Sequence, residues 1–141
     1  MREEQVARSV LSWLTERGWE ILDYDFPGGG TGRSFHVGEF QDKTSGLVIP
    51  DVIAIKDSTL LVMENKAKDT RSDYEKIGRL SGSGFERLLH EAYPQRTFDH
   101  VVFGIAFSGP SRYAELAEVN GVGVVVQVAE DGRCAIACGN L

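Results

Sequence analysis

The chain has 141 residues, 42% hydrophobic and 26% charged, with a formal net charge of −6. That size and composition suit a single globular domain over residues 1–141 and argue against long disorder. They also exclude a membrane-spanning helix, since no apolar run approaches the ~18 residues one needs, and an acidic chain is unlike a protein coated in basic nucleic-acid-binding surface.

The charge is unevenly spread: residues 66–96 form the one net-positive segment. Any polyanion would have to be met there, by a dimer or with the help of a metal. Cys134 and Cys138 lack a CxxC partner, which fits a reduced, cytoplasmic protein better than a disulfide framework or zinc site. The N-terminus is charged and amphipathic and does not read as a signal peptide.

In chain order, residues 2–17 predict a helix with Val6, Ala7, Val10, Leu11, Trp13 and Leu14 on one face and Gly18 as its cap. Trp19 to Phe26 alternates as a strand, with Trp19, Ile21 and Asp23 on one side. Residues 27–46 are glycine-rich and irregular, a length of loop that is usually functional. No Gly-Lys-Ser/Thr follows the glycines, so they do not form a phosphate-binding P-loop. Ser72 to Leu80 and Phe85 to Tyr93 read as helices interrupted by Ser81-Gly82-Ser83-Gly84, and Val101 to Phe107 as a buried strand. Ser111 to Asn120 reads as a helix. Val122 to Ala129 and Arg133 to Cys138 flank Asp131-Gly132, a strong hairpin signal. The order predicts an α/β fold: a mixed central sheet flanked by helices, ending in a β-hairpin.

The informative stretch is Ile49 to Lys66. It predicts two apolar strands joined by a tight turn over Lys56 to Thr59. Centring the turn on Asp57 and Ser58 pairs Asp51 with Glu64 across an antiparallel hairpin. Alternation then puts Glu64 and Lys66 on the face of Leu60 and Val62, and Asp51 on that of Ile53 and Ile55. An isolated ExK triplet is usually a surface ion pair of little energetic value. Here each charge stands on a face that otherwise reads as buried, at a cost of several kcal/mol for an unpaired carboxylate. Lys66 can offset one carboxylate; a hard divalent cation would satisfy both. Such an ion suits phosphodiester hydrolysis, with Lys66 in an electrostatic role rather than as a base.

Asp51 preceded by Pro50, then twelve residues, then Glu64-Asn65-Lys66, resembles the signature of the PD-(D/E)XK nuclease superfamily, which includes restriction endonucleases and Holliday-junction resolvases. The resemblance extends to element order and covers roughly residues 2–107. It implies a restriction-endonuclease-like αβββαβ core, with Asp51 and Glu64 as ligands of Mg²⁺ (Mn²⁺ as a substitute) and Asp51, Glu64 and Lys66 as the catalytic set. Many members carry an acidic residue in the first helix, and Glu3, within the apolar arc, is the matching candidate ligand. Lys68, Arg71, Lys76 and Arg79 follow the motif and are candidate DNA contacts, as are Arg33 and His36 from the glycine-rich stretch. His36, His90 and His100 have no metal-ligand spacing.

The expected activity is a metal-dependent DNA endonuclease of restriction, repair or junction-resolving type, acting as a homodimer with no membrane partner. The alternative is a catalytically silent nuclease-fold module that binds DNA or a partner protein in a defence or repair complex.

Overall fold

A computed structural model describes residues 1–27, 29–36, 47–81 and 84–141, without the side chains of His36 and Leu47. α1 (Glu3–Glu16) leads into β1 (Glu20–Phe26), followed by the two-residue strands β2 (Gly29–Gly30), β3 (Phe35–His36) and β4 (Leu47–Val48). The hairpin β5 (Val52–Lys56) and β6 (Thr59–Lys66) comes next, then α2 (Arg71–Ser81), α3 (Phe85–Ala92) and β7 (His100–Ser108). Two 3-10 turns (Ala114–Leu116 and Glu118–Asn120) precede β8 (Val122–Val128) and β9 (Cys134–Gly139). The fold is α/β. Residues 28 and 37–46 of the glycine-rich stretch and the Gly82-Ser83 half of the helix break lie outside the described residues.

Seven strands form one mixed sheet in the order β2-β1-β5-β6-β7-β8-β9. The β6–β7 and β7–β8 pairs are parallel, and the remaining pairs are antiparallel. β3 and β4 pair separately. Parallel neighbours need a crossover, which α2 and α3 supply between β6 and β7. Helices cover both faces of the sheet. Val6, Val10 and Leu14 of α1 pack on Val52, Ala54, Leu61 and Met63, whereas Tyr74, Ile77, Leu80, Phe85 and Leu89 of α2 and α3 pack on Ile53, Ile55, Leu60 and Val62. Strand alternation creates both surfaces from one hairpin. Among the described residues, no helix is long and apolar enough to cross a membrane.

The β5–β6 register is the predicted one, with Val52 opposite Met63 and Lys56 opposite Thr59. The two-residue turn needs a left-handed residue, and Asp57, at φ 54°, takes it.

Two expectations fail. β1 is not a simple alternation: a bulge at Leu22 shifts its register against β5, so that Asp23 stands opposite Ile53 on the α2–α3 side and away from the Trp19 and Ile21 side. The segment Ser111 to Asn120 is two 3-10 turns rather than one helix. Its only buried residue is Ala117, too little apolar face to sustain an α-helix. The valine-rich run at 122–128 lies inside the sheet between β7 and β9 and forms no edge.

Leu61 sits fully buried on the central strand. Leu61→Ala is expected to lower unfolding free energy by about 2–5 kcal/mol, measured by urea denaturation.

Candidate active site

Asp51 lies one residue before β5 and is tied to both neighbouring strands. Its carbonyl accepts the Asp25 N–H from β1 at 2.8 Å, and its Oδ2 accepts the Asn65 N–H from β6 at 2.7 Å. Continuing the register one pair beyond Val52 and Met63 brings Asp51 opposite Glu64, and the two carboxyls share a hydrogen bond.

Glu64 follows Leu60 and Val62 onto the α2–α3 face and is only 6% exposed. Burial, reinforced by the charge of Asp51, pushes its carboxyl up to about 8. Burial raises Asp51 too, opposed by the hydrogen bonds from Glu64 and the Asn65 amide and by the charges of Lys66 and Lys76. The pair therefore keeps a proton near neutral pH.

Lys66, at the open end of β6, is reached from both sides of the sheet. Its Nζ lies 3.8 Å from Glu3 Oε1 and 3.8 Å from Asp73 Oδ1. Burial works to lower its pKa, but Asp73, Glu64, Glu3 and Asp51 together outweigh it and the net shift is upward. Lys66 is an ammonium. Lys76 Nζ stands 3.7 Å from Glu64 Oε1. Asp73 and Lys76 are three residues apart on one face of α2, and Lys66 and Glu64 are two apart on one face of β6. Because the chain reverses between strand and helix, opposite charges meet in both pairs.

The structure thus brings Asp51, Glu64 and Lys66 together. Glu3 joins them through Lys66, and with Asp51 it lines a cavity of about 80 Å³ that Ala7, Asp25, Phe26, Pro27 and Asn65 complete. A larger concavity, of about 580 Å³ between α1 and residues 131–134, includes none of these residues. Of the basic candidates, Lys76 is at the site, and Lys68, Arg71 and Arg79 are exposed beside it along the chain. Arg71 also stacks over the Tyr113 ring, 5.5 Å from its centroid. Arg33 is engaged elsewhere: its Nε lies 3.2 Å from Asp23 Oδ2 and its guanidinium 5.0 Å from the Tyr93 ring centroid, and the Asp23 hydrogen bond raises its pKa. His36 belongs to β3, and its side chain is outside the described residues.

Sequence reasoning missed Asp73, whose place in a first helical turn reads as a dipole partner. It also missed Asp69, buried after Lys66, which accepts the Arg112 and Tyr113 N–H groups at 2.6 and 2.7 Å. Nothing local predicts a partner more than forty residues away.

The donor set fits Mg²⁺. Two oxygen donors held against each other are relieved by a shared cation, and Mg²⁺ is usually bound by one or two carboxylates plus waters and substrate oxygens. Among the described residues no group of three or more His, Cys, Asp or Glu is placed to hold a metal. Asn65, 1% exposed, has both side-chain amide atoms without a partner among the described residues, and it lines the 80 Å³ cavity. A space of that size, beside Asp51, holds about two waters.

No family model and no curated protein matches this chain.

Glu64 binds its proton more tightly in the folded protein than in the unfolded chain, from an ordinary 4.5 to about 8. The stability this contributes is present below the unfolded value and is lost as pH rises through the folded one. Metal-free protein is therefore expected to lose stability between about pH 5 and 8. Glu64→Gln should flatten that slope in denaturant titrations across the range.

Proposed function

We propose that this chain is a Mg²⁺-dependent DNA endonuclease with a restriction-endonuclease-like core. The observation that carries this reading is the half-buried Asp51 set against the buried Glu64 at the open end of the hairpin, with the Lys66 ammonium beside them. The element order supports it as well: α1, β1, β5, β6, α2 and β7 run in the αβββαβ sequence, with β2–β4 inserted after β1 and β8–β9 appended as a C-terminal hairpin.

Asp51 and Glu64 would hold Mg²⁺ or Mn²⁺. When bound, the ion would polarise the scissile phosphate and acidify an attacking water. Asp51 is positioned for this by the Asn65 amide, which fixes one of its oxygens. Glu64 gives up its proton on taking the cation. Lys66 stays charged and neutralises the negative charge that builds on the phosphate, a role its raised pKa favours over that of a general base. Glu3 and Asp73 hold the ammonium from either side. The exposed Lys68, Arg71 and Arg79 would meet the DNA backbone, with a steep salt dependence. Cleaving both strands from one site per chain calls for a homodimer.

Supercoiled, branched and linear DNA incubated with Mg²⁺ test the reading. Asp51→Asn, Glu64→Gln and Lys66→Met should each reduce cleavage by about 10²-fold or more while melting as folded proteins. A wild type no more active than these variants refutes it and leaves a binding module.

The proton on Glu64 sets a second expectation. Cleavage should rise with pH through about 8, and the limb should move to lower pH as Mg²⁺ is increased, because metal and proton compete for one carboxylate. Rates measured from about pH 6 to 9 at low and high Mg²⁺ check this.

A further inference from the structure

Lys76 has two demands on it. It belongs to the basic segment expected to meet a polyanion, yet its ammonium is turned inward, 3.7 Å from Glu64 Oε1, with its side chain 43% exposed against 8% for Glu64. The other cations of this region differ in kind. Lys66 is held by carboxylates outside the pair, Glu3 and Asp73. Arg71 and Arg79 are exposed on α2. Of these cations, Lys76 is the one ion-paired with Glu64 itself.

We propose that Lys76 is an internal counter-ion of the Asp51–Glu64 pair, which a divalent cation displaces and so frees to bind a phosphate of the nucleic acid. The inference rests on the nuclease reading and adds to it a coupling between the two ligands. A divalent ion on Glu64 repels an ammonium a few ångströms away in a poorly solvated site. The long, half-exposed lysine stem lets the ammonium swing out without unfolding α2, whose packing rests on Tyr74, Ile77 and Leu80. Swung out, Lys76 joins Arg71 and Arg79 on the helix that follows the carboxylates. Metal binding then adds one phosphate-binding charge to the protein, and by linkage the nucleic acid tightens the metal. Without metal, Lys76 is withheld.

Lys76→Met, which keeps the stem and loses the charge, tests this by Mg²⁺ calorimetry without DNA. Titrations at several pH values up to about 9 correct for proton competition at Glu64, which loses the lowering charge of Lys76 in the variant, and Glu64→Gln serves as the non-binding control. The variant is expected to bind Mg²⁺ about tenfold more tightly than wild type. The second readout is the salt dependence of binding to a short DNA duplex, with Ca²⁺ as a divalent probe. With Ca²⁺ the log–log salt slope should be smaller by about one for Lys76→Met, and without metal the two proteins should share one slope. Unchanged or weaker Mg²⁺ binding in the variant overturns the inference and leaves the nuclease reading standing. Equal slopes with Ca²⁺ overturn the phosphate role. If neither protein binds Mg²⁺ or Ca²⁺, the nuclease reading falls and this inference with it.

Discussion

Two carboxyl groups buried against each other at the end of the β5–β6 hairpin constrain everything around them. Asp51 and Glu64 share one proton because two adjacent charges in so dry a place would repel and be poorly solvated. Every nearby polar element reduces that repulsion: the Asn65 N–H on Asp51, the Lys76 ammonium on Glu64, and Lys66 a residue further on. A core built for stability alone would fill these positions with apolar residues, as it does at Leu60 and Val62 on the same face. The site keeps a like-charge pair instead, and local stability is given up where a cation can restore it.

The scaffold serves this pair in two layers. α1 and α2 sit on opposite faces of the sheet, yet each sends a carboxylate, Glu3 and Asp73, to the same ammonium at the edge between them. Beyond Lys66 the chain is fastened at two points. Ser108 Oγ donates to the Ala67 carbonyl at 2.7 Å, and Asp69 takes the Arg112 and Tyr113 N–H groups. These long-range ties fix where α2 begins and hence where Asp73 and Lys76 stand relative to β6. A third clip lies further off: the Tyr93 hydroxyl and the Arg33 guanidinium both bond Asp23, whose other oxygen accepts the Thr31 hydroxyl. It binds the glycine-rich segment to β1, and there Gly30 is required, since a Cβ would lie 2.4 Å from the Tyr24 carbonyl oxygen. Arg33 is therefore a structural residue of this clip before it is anything else.

The hairpin and the meeting of its charges were legible because they are local. A two-residue turn sets the register, a period of two sets the faces, and three charges on apolar faces mark themselves as misplaced. The helices α1 and α2 were legible for the same kind of reason, the spacing of Val6, Val10 and Leu14 and of Tyr74, Ile77 and Leu80. Sequence pattern failed where a distant contact overrode it. The bulge at Leu22 carries Asp23 to the other face, and Asp69 draws in the amides of a segment that periodicity assigns to an α-helix.

Sequence by itself determined the antiparallel register that sets Asp51 opposite Glu64 and the face on which Glu64 and Lys66 stand. It also determined the acidic balance of the chain, with its one basic segment. Only the tertiary structure decided which cations answer which carboxylates. Ion pairing depends on distances of a few ångströms between elements whose relative placement is set by packing and by hydrogen bonds spanning forty residues or more. For that reason Lys76 reads in sequence as one more surface lysine, while the fold turns it inward onto Glu64.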